Sequence, residues 1–521
     1  MSEKTSRTRK TIINTVFSIA SQLLAIVLSF VLRTAFIKIL GDQYTGVASV
    51  FTTILTMLSL SELGFATAVA TALYRPLREN NQKLIQQLMD FYKKAYRLVA
   101  LFIFVVGVCL IPFLQYLIKD VPDIKENITV IYVFYIVKTA ASYLMIYKTT
   151  LLRADQKLYV VKKLEMICQG IRYAVEVIVL IVFREYMTYL VIEIVATILQ
   201  NYTVTKRAEK EYPQAFEKPT ETLPRETIIS LLKDVKGLSM YKLSSTIGNS
   251  IDTMLISGFI NTSSVAIVGN YSHIKNHVQK VLMQFFSAVI PSVGNLAVEK
   301  SAKQQQNVFN RLFYISFLMV NFCSASMFVL FKPFLKVWLG EKYVLGQHIS
   351  FIIAFDFFLY ILLQAIASFR TANGLFVKGQ YRPLITAIVN TILSVLLIRE
   401  FGIFGTILAT VIARLLTQWY DPYLMYKHIF QDSFAKFYVK YWAYIALFVS
   451  GAFITNFVAE AVAINNRFLN LILGAVICVV IPNCWVLIWT HRTKEFAFVK
   501  GVVVKILHGR KGRHGINGEK V

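Results

Sequence analysis

Polar side chains recur at helical spacing inside the apolar segment 264–296. The pattern consists of His273, His277, Lys280 and Gln284, with Asn276 beside them. On a helix, intervals of four, three and four residues place these side chains on one continuous face. Lipid offers no hydrogen-bond partners to such a face, so we expect it to line a hydrated cavity or a surface between lobes.

Ionisable residues occur in other apolar segments as well, and each is a candidate functional group because a charge at bilayer depth is costly. The cations are interpreted, together with the polar face, as substrate-binding candidates: Arg33, Lys138, Arg172, Lys280 and Arg414. The acids interpreted as ion-coupling candidates are Glu62, Asp252 and Asp356. The set also includes Lys275, Glu176 and Glu193, and it includes Lys148, Glu165 and Lys242, which lie near inside ends of their segments and can snorkel. Arg172 and Glu176 are one helical turn apart, so an alternative interpretation is that they neutralise each other.

The sign of these charges bears on the substrate. Lysine and arginine near the midplane favour an anion, since each cation offsets the desolvation of a phosphate or carboxylate. A cation exporter is expected to show a cavity dominated by acids. The acids that remain are available as proton or sodium sites, but the cations outnumber them.

The segments that carry these residues are membrane helices. The chain has 521 residues, of which 56% are hydrophobic and 16% charged, and its mean hydropathy is +0.57. A soluble domain carries about 25% charged residues. A helix needs ~20 residues to cross the hydrocarbon core. Fourteen segments qualify: 12–37, 44–74, 98–118, 128–151, 164–183, 186–205, 238–260, 264–296, 312–331, 347–369, 383–398, 401–426, 441–459 and 468–490.

The distribution of basic residues sets the predicted orientation. With the amino terminus inside, the inside segments hold 38 Lys and Arg and the outside loops hold 9. This asymmetry follows the positive-inside rule and predicts that both termini are cytoplasmic. It also accounts for the net charge of +26 without a nucleic-acid partner.

Metal and enzyme chemistry find no support in the sequence. The five cysteines lie in apolar segments and form no CxxC pair, which argues against a disulfide framework or a zinc site. Phosphate-binding glycine loops, HExxH and GxSxG are missing, and the outside loops are too short for a catalytic domain. We therefore expect no catalytic residues, no metal and no cofactor, which leaves coupling to Na+, H+ or the membrane potential.

The domain organisation is predicted from the longest hydrophilic interruption and from an internal repeat. Residues 206–236, with three prolines, are interpreted as a cytoplasmic linker between lobes. Segments near residues 39–51 and 259–271 match as tight outside turns, and those near 152–157 and 369–374 match as basic inside turns. Six spans per repeat gives both halves the same orientation. The prediction is a six-helix lobe over 1–205, the linker 206–236, a second six-helix lobe over 237–430, two further helices within 431–491 and a basic cytoplasmic tail over 492–521, without fixed structure beyond residue 500.

Two motifs carry a family resemblance. The first is Phe36-Ile37-Lys38-Ile39-Leu40-Gly41 after a basic tail and a long helix, and the second is Ser61-Glu62-Leu63-Gly64-Phe65-Ala66-Thr67-Ala68. With the two six-helix lobes, they resemble the polysaccharide-transport branch of the MATE-like (MOP) flippase superfamily. That branch includes Wzx-type oligosaccharide flippases and is related to the lipid II flippases. The predicted fold class is therefore an all-α integral membrane protein of about fourteen transmembrane helices, arranged as two six-helix bundles in a parallel pseudo-twofold repeat plus two C-terminal helices.

The resemblance implies a function. A polyprenyl-diphosphate-linked oligosaccharide, such as a capsule, exopolysaccharide or O-antigen repeat unit, would move from the inner to the outer leaflet of a bacterial plasma membrane. Alternating access through a basic central cavity between the bundles would carry the head group. Expected partners are this anionic lipid-linked oligosaccharide, membrane lipids and a polysaccharide polymerase, with the protein as a monomer. The alternative is a MATE-like sodium- or proton-coupled exporter of small molecules.

Overall fold

The computed structural model describes residues 22–59, 65–119, 122–155, 157–299, 301–373, 379 and 381–509. The described residues form helices and no strand, which confirms the all-α prediction. The helices are α1 Gln22–Leu40, α2 Asp42–Leu58, α3 Phe65–Arg78, α4 Gln82–Cys109, α5 Leu114–Leu117, α6 Ile128–Ile146, α7 Thr149–Ala154, α8 Leu158–Phe183, α9 Tyr186–Glu211, α10 Arg225–Phe259, α11 Thr262–Glu299, α12 Ala302–Trp338, α13 Gln347–Leu362, α14 Gln364–Ala372, α15 Arg382–Thr417, α16 Tyr420–Met425, α17 Phe434–Ala461, α18 Arg467–Thr490 and α19 Lys494–Gly509.

The apolar segments predicted from the sequence coincide with helices or with pairs of consecutive helices. Among the described residues, nine helices are long and apolar enough to cross a membrane, or ten if α4 is joined to the segment Ile111–Leu117 across a 44° bend. One of the nine runs 49 residues, from Arg382 to Phe430, and contains Gly402 at φ 54° and ψ −133°. The break lies near the boundary between the predicted spans 383–398 and 401–426, so this one helical segment contains both spans. The number of fourteen crossings stays a prediction.

Two polar segments are more ordered than their composition indicates. Helices α9 and α10 extend into the predicted linker 206–236 from both ends, which leaves only 212–224 between them. This connection packs on α4, where Gln86 donates to the carbonyl of Gln214 at 2.8 Å. The prediction that the tail lacks structure beyond residue 500 is wrong as far as residue 509, because α19 continues to that point. Arg311 on α12 lies 4.3 Å from the ring centre of Phe498 and helps to hold α19 in place.

By the contacts within the chain, the protein forms two compact units. Unit 1 comprises Met1–Gly269 and Pro383–Gly402, and unit 2 comprises Asn270–Arg382 and Ile403–Val521. Helix α10 and the first residues of α11 therefore belong to unit 1. The division into lobes over 1–205 and 237–430 stays a prediction.

In unit 1 the turn between α10 and α11 packs tightly against α2. A β-carbon on Gly46 would lie 2.0 Å from the carbonyl oxygen of Thr262, so only glycine fits there. Lys119 Nζ donates to the carbonyl of Phe259 at 2.9 Å and satisfies one of the last carbonyls of α10. The short connections Gly41, between α1 and α2, and residues 260–261, between α10 and α11, are the tight turns that the sequence predicts at these two places.

In unit 2 the core is aromatic and includes the C-terminal helices. Helix α12 packs against α13, α17 and α18. Phe317 stacks on Tyr444 with ring centres 4.0 Å apart, and Phe358 stacks on Phe448 at 4.3 Å. Such contacts contribute dispersion energy even where lipid surrounds the bundle. Helices α17 and α18 thus pack against α12 as part of unit 2.

Candidate functional site

A buried carboxylate shared by two cations lies in the middle of unit 2. Asp356 on α13 is 4% exposed. Its Oδ1 lies 2.6 Å from Nε of Arg414 on α15, and its Oδ2 lies 3.2 Å from Nζ of Lys275 on α11. The Arg414 guanidinium also lies 4.9 Å from the ring centre of Tyr360, one helical turn beyond Asp356. Three helices of unit 2 are therefore tied together by one aspartate.

This cluster brings together two residues that the sequence predicts as site residues, Asp356 and Arg414, and one that it does not, Lys275. Asp356 was an ion-coupling candidate and Arg414 a substrate-binding candidate; in the structure they are partners. Lys275 is an intramembrane cation by sequence, but the sequence does not predict it as a site residue. Lys275 lies two residues after His273 on α11, which places it on a different side of the helix from Lys280 and the other polar residues. With two cations and one carboxylate, the cluster carries a net positive charge.

The polar face predicted on α11 is present, and its two ends differ. His273 and His277 pack edge to face with ring centres 4.5 Å apart, and His273 also stacks on Trp338. Asn276, Lys280 and Gln284 are exposed.

Lys280 is the member of this face that bears a permanent charge. Among the residues that the structure describes, no carboxylate forms an ion pair with it. It therefore offers a positive charge to any ligand that reaches this face of α11.

In unit 1 two of the candidate cations, Lys138 and Arg172, form ion pairs with acids on a neighbouring helix or one helical turn away. Nζ of Lys138 on α6 lies 2.6 Å from Oε1 of Glu193 on α9. On α8, Arg172 Nε lies 3.1 Å from Oε1 of Glu176, whose side chain is fully buried. The four charges sum to zero. The interpretation that Arg172 and Glu176 neutralise each other describes this contact, and Lys138 and Glu193 form a second, equivalent pair.

The remaining candidates are spread through unit 1. Arg33 on α1 donates from Nη2 to the carbonyl of Ala266 at 3.4 Å. That nitrogen also lies 3.1 Å from where a β-carbon on Gly269 would be. Asp252 is half-buried on α10. Glu62 and the motif around it, residues 60–64, lie outside the described residues.

The arrangement suits electrostatic binding of an anion better than metal chemistry. Within the described part of the chain, no group of three or more His, Cys, Asp and Glu side chains is placed to hold a metal ion. Three of the described intramembrane carboxylates, Glu176, Glu193 and Asp356, form ion pairs with cations. Among these described groups, the Asp356 cluster of unit 2 has one cation more than it has carboxylates.

Comparison with solved structures identifies the fold. The chain is similar to the lipid II flippase MurJ in an inward closed conformation, with a TM-score of 0.68 and 14% identity over 92% of this chain and 99% of that one. It is also similar to an inward-facing multidrug resistance MATE family transporter of the MOP superfamily, with a TM-score of 0.60 and 12% identity over 76% and 92%. A third structure, the MATE multidrug transporter DinF-BH, gives 0.54 and 18% over 81% and 97%. No family model and no curated protein sequence matches the chain.

The chain has the fold of MOP-type membrane transporters. Almost the whole length of these structures is covered, so the likeness extends to the fold as a whole. Together with the apolar helices, it makes the chain a multi-pass membrane protein. The similar structures are a flippase and transporters, and the identities of 12–18% carry the fold alone.

Proposed function

We propose that the protein is a flippase that moves a polyprenyl-diphosphate-linked oligosaccharide, such as a capsule, exopolysaccharide or O-antigen repeat unit, from the inner to the outer leaflet. The observation that carries the proposal is the excess positive charge of unit 2. Lys275 and Arg414 share the single carboxylate of Asp356, and Lys280 is exposed without a described acid beside it. A diphosphate is the substrate group that such charges attract most strongly.

The same contacts weigh against a cation exporter. An exporter driven by Na+ or H+ needs a carboxylate that an incoming cation can reach. Asp356 is buried and already neutralised by two fixed cations, so binding of a further cation there would meet repulsion from both. Glu193 and Glu176 are each held by a basic partner. Asp252 and Glu62 are the acids left for a coupling role under this alternative.

The membrane potential supplies a driving force for the proposed reaction. Moving one negative charge outward across an inside-negative potential is favourable by ~2.3 kcal/mol per 100 mV. A diphosphate with about two charges gains roughly twice that amount. Exposed Lys280 would bind the head group loosely enough to release it, because a contact that remains hydrated is weaker than a buried one.

The wider setting of the proposal follows the sequence prediction. The protein would act by alternating access as a monomer in a bacterial plasma membrane, with both termini in the cytoplasm. It would work beside a polysaccharide polymerase that consumes the flipped unit. Catalysis, metal and cofactor have no part in this proposal.

The experiment is complementation of bacteria that lack their own repeat-unit flippase. Surface glycan and the lipid-linked precursor on each leaflet are measured for wild type, Lys280→Gln and Lys280→Arg. An exposed charge pair contributes up to about 1 kcal/mol, so we expect Lys280→Gln to slow flipping by up to roughly fivefold and Lys280→Arg to retain most activity. Lys303→Gln, which removes an exposed charge near the start of α12, is the matched control and should behave as wild type.

Two results would contradict the proposal. If the wild-type protein restores no surface glycan in several hosts but confers drug efflux, the exporter alternative is correct. If glycan is restored equally by wild type and Lys280→Gln at matched membrane abundance, the substrate class stands but the role of the cationic face is wrong.

A further inference from the structure

Unit 2 contains a second polar site, separate from the Asp356 cluster. It is a pocket of about 250 Å³ bounded by α12, the start of α13, the end of α17 and the start of α18. Its polar residues are Lys332, Lys336, Gln347, Asn456, Glu460 and Asn470. The positive-inside prediction places these helix ends at the outer surface of the membrane.

The polar groups of the pocket form an ordered chain. Gln347 Nε2 donates to Oδ1 of Asn456 at 2.7 Å, and Nδ2 of Asn456 donates to Oε1 of Glu460 at 3.2 Å. The orientation of each amide is thereby fixed. At the other side Lys336 pairs with Glu341 at 2.6 Å. Lys332 is exposed, and no described carboxylate forms an ion pair with it.

The pocket is amphiphilic and opens beside apolar surface. Val329, Ala459, Ala463 and Gly474 contribute apolar wall between the polar groups. Phe457, the residue after Asn456, has 74% of its surface exposed. A large apolar side chain left exposed on a membrane helix faces acyl chains. A ligand in this pocket can therefore place a polar group on Lys332 while its apolar part lies along α17.

We propose that this pocket binds the phosphodiester head group of an outer-leaflet glycerophospholipid. The phosphate would lie against Lys332 and the free side of Lys336, and the head-group alcohol or ammonium would face the Asn456–Glu460 end. The volume is just below the ~300–1,000 Å³ typical of drug-sized ligands, which suits a head group and excludes a lipid-linked oligosaccharide. The inference is independent of the proposed substrate.

The test is native mass spectrometry of the full-length protein in detergent, with short-chain phosphatidylglycerol or phosphatidylethanolamine added at increasing concentration. Lys332→Gln removes the unpaired cation, and Ala459→Trp fills the pocket without changing charge. A basic residue near a lipid surface contributes ~1 kcal/mol, so Lys332→Gln should weaken lipid binding roughly fivefold. Ala459→Trp should abolish the specific binding step. Lys342→Gln, an exposed lysine nearby that does not line the pocket, is the matched control and should bind as wild type.

The outcomes are distinct. Weaker binding in Lys332→Gln and Ala459→Trp but not in Lys342→Gln supports the proposal, provided that all three variants melt at the wild-type temperature without lipid. Equal binding by all variants overturns it. Inorganic phosphate and glycerol phosphate are run as competitors; if either displaces the lipid at the lipid's own concentration, the site recognises a soluble phosphate and the lipid assignment is wrong.

Discussion

Replacing Asp356 by asparagine removes the carboxylate that Lys275 and Arg414 share. Its side chain is 6% exposed, and those of the two cations are 24% and 15% exposed, so water replaces little of the lost interaction. Removing one member of a buried ion pair costs about 3–5 kcal/mol, because the other charge is left buried without a partner. Two cations are left here, so we expect a loss near 5 kcal/mol in the free energy of unfolding.

The assay is denaturant unfolding of the purified full-length protein in mild detergent. Glu400→Gln is the matched control, since it removes an exposed carboxylate at the middle of α15, the helix that also carries Arg414. We expect that control to change the free energy of unfolding by less than about 0.5 kcal/mol. The double variant Asp356→Asn with Lys275→Met returns the cluster to its original net charge and should recover a large part of the lost stability.

Two results would refute this reasoning. If Asp356→Asn is as stable as Glu400→Gln, then the aspartate does not hold the three helices together. The second result is a double variant that regains stability but does not transport, together with an Asp252→Asn variant that transports normally. Asp356 would then act as an ion-coupling carboxylate, which would support the exporter alternative.

Two further predictions concern packing and pH. Gly46→Ala should destabilise the protein by about 1–3 kcal/mol, because its β-carbon would collide with the Thr262 carbonyl. Gly170→Ala is the control: the space around Gly170 is open, so this variant should be neutral or stabilising by up to about 1 kcal/mol. Melting curves of the two variants test this difference. Burial raises the pKa of Glu495, but the hydrogen bond and charge of Lys440 at 2.5 Å outweigh burial and hold that pKa below its usual value of 4.5. The stability that this pair contributes is therefore fully present above pH 4.5 and is lost as the pH falls through the lower pKa of the folded state. In Glu495→Gln the free energy of unfolding should fall less steeply with decreasing pH in this range than in wild type. An unchanged pH dependence would contradict the pairing.

The helices were predictable from the sequence because a membrane span must be long and apolar. Length and hydropathy located α12 and α18 without any knowledge of their neighbours. Length and hydropathy do not predict helix α19, because its 16 residues are fewer than the ~20 that a membrane span needs. It is held by side-chain contacts such as Arg311 with Phe498, which hydropathy does not detect.

The ion pairs were predictable only where both members lie on one helix. Arg172 and Glu176 are four residues apart, so their contact follows from helical geometry. Lys275 and Asp356 are 81 residues apart, and their contact depends on which helices are neighbours. One sequence shows which charges are present in the membrane, and the packing decides which of them remain unneutralised.

Unit 1 is built from two segments that are far apart in the sequence, and this has a consequence for biosynthesis. Its last segment, Pro383–Gly402, follows a long stretch of unit 2 in the chain. Synthesis proceeds at about 5–20 residues per second, so on the order of 10 s passes between the emergence of Gly269 and that of Gly402 from the ribosome. During that interval the earlier helices of unit 1 are in the membrane without the segment of α15 that belongs to the same unit. A chain cut between Gly269 and Asn270 would likewise leave unit 1 without this segment.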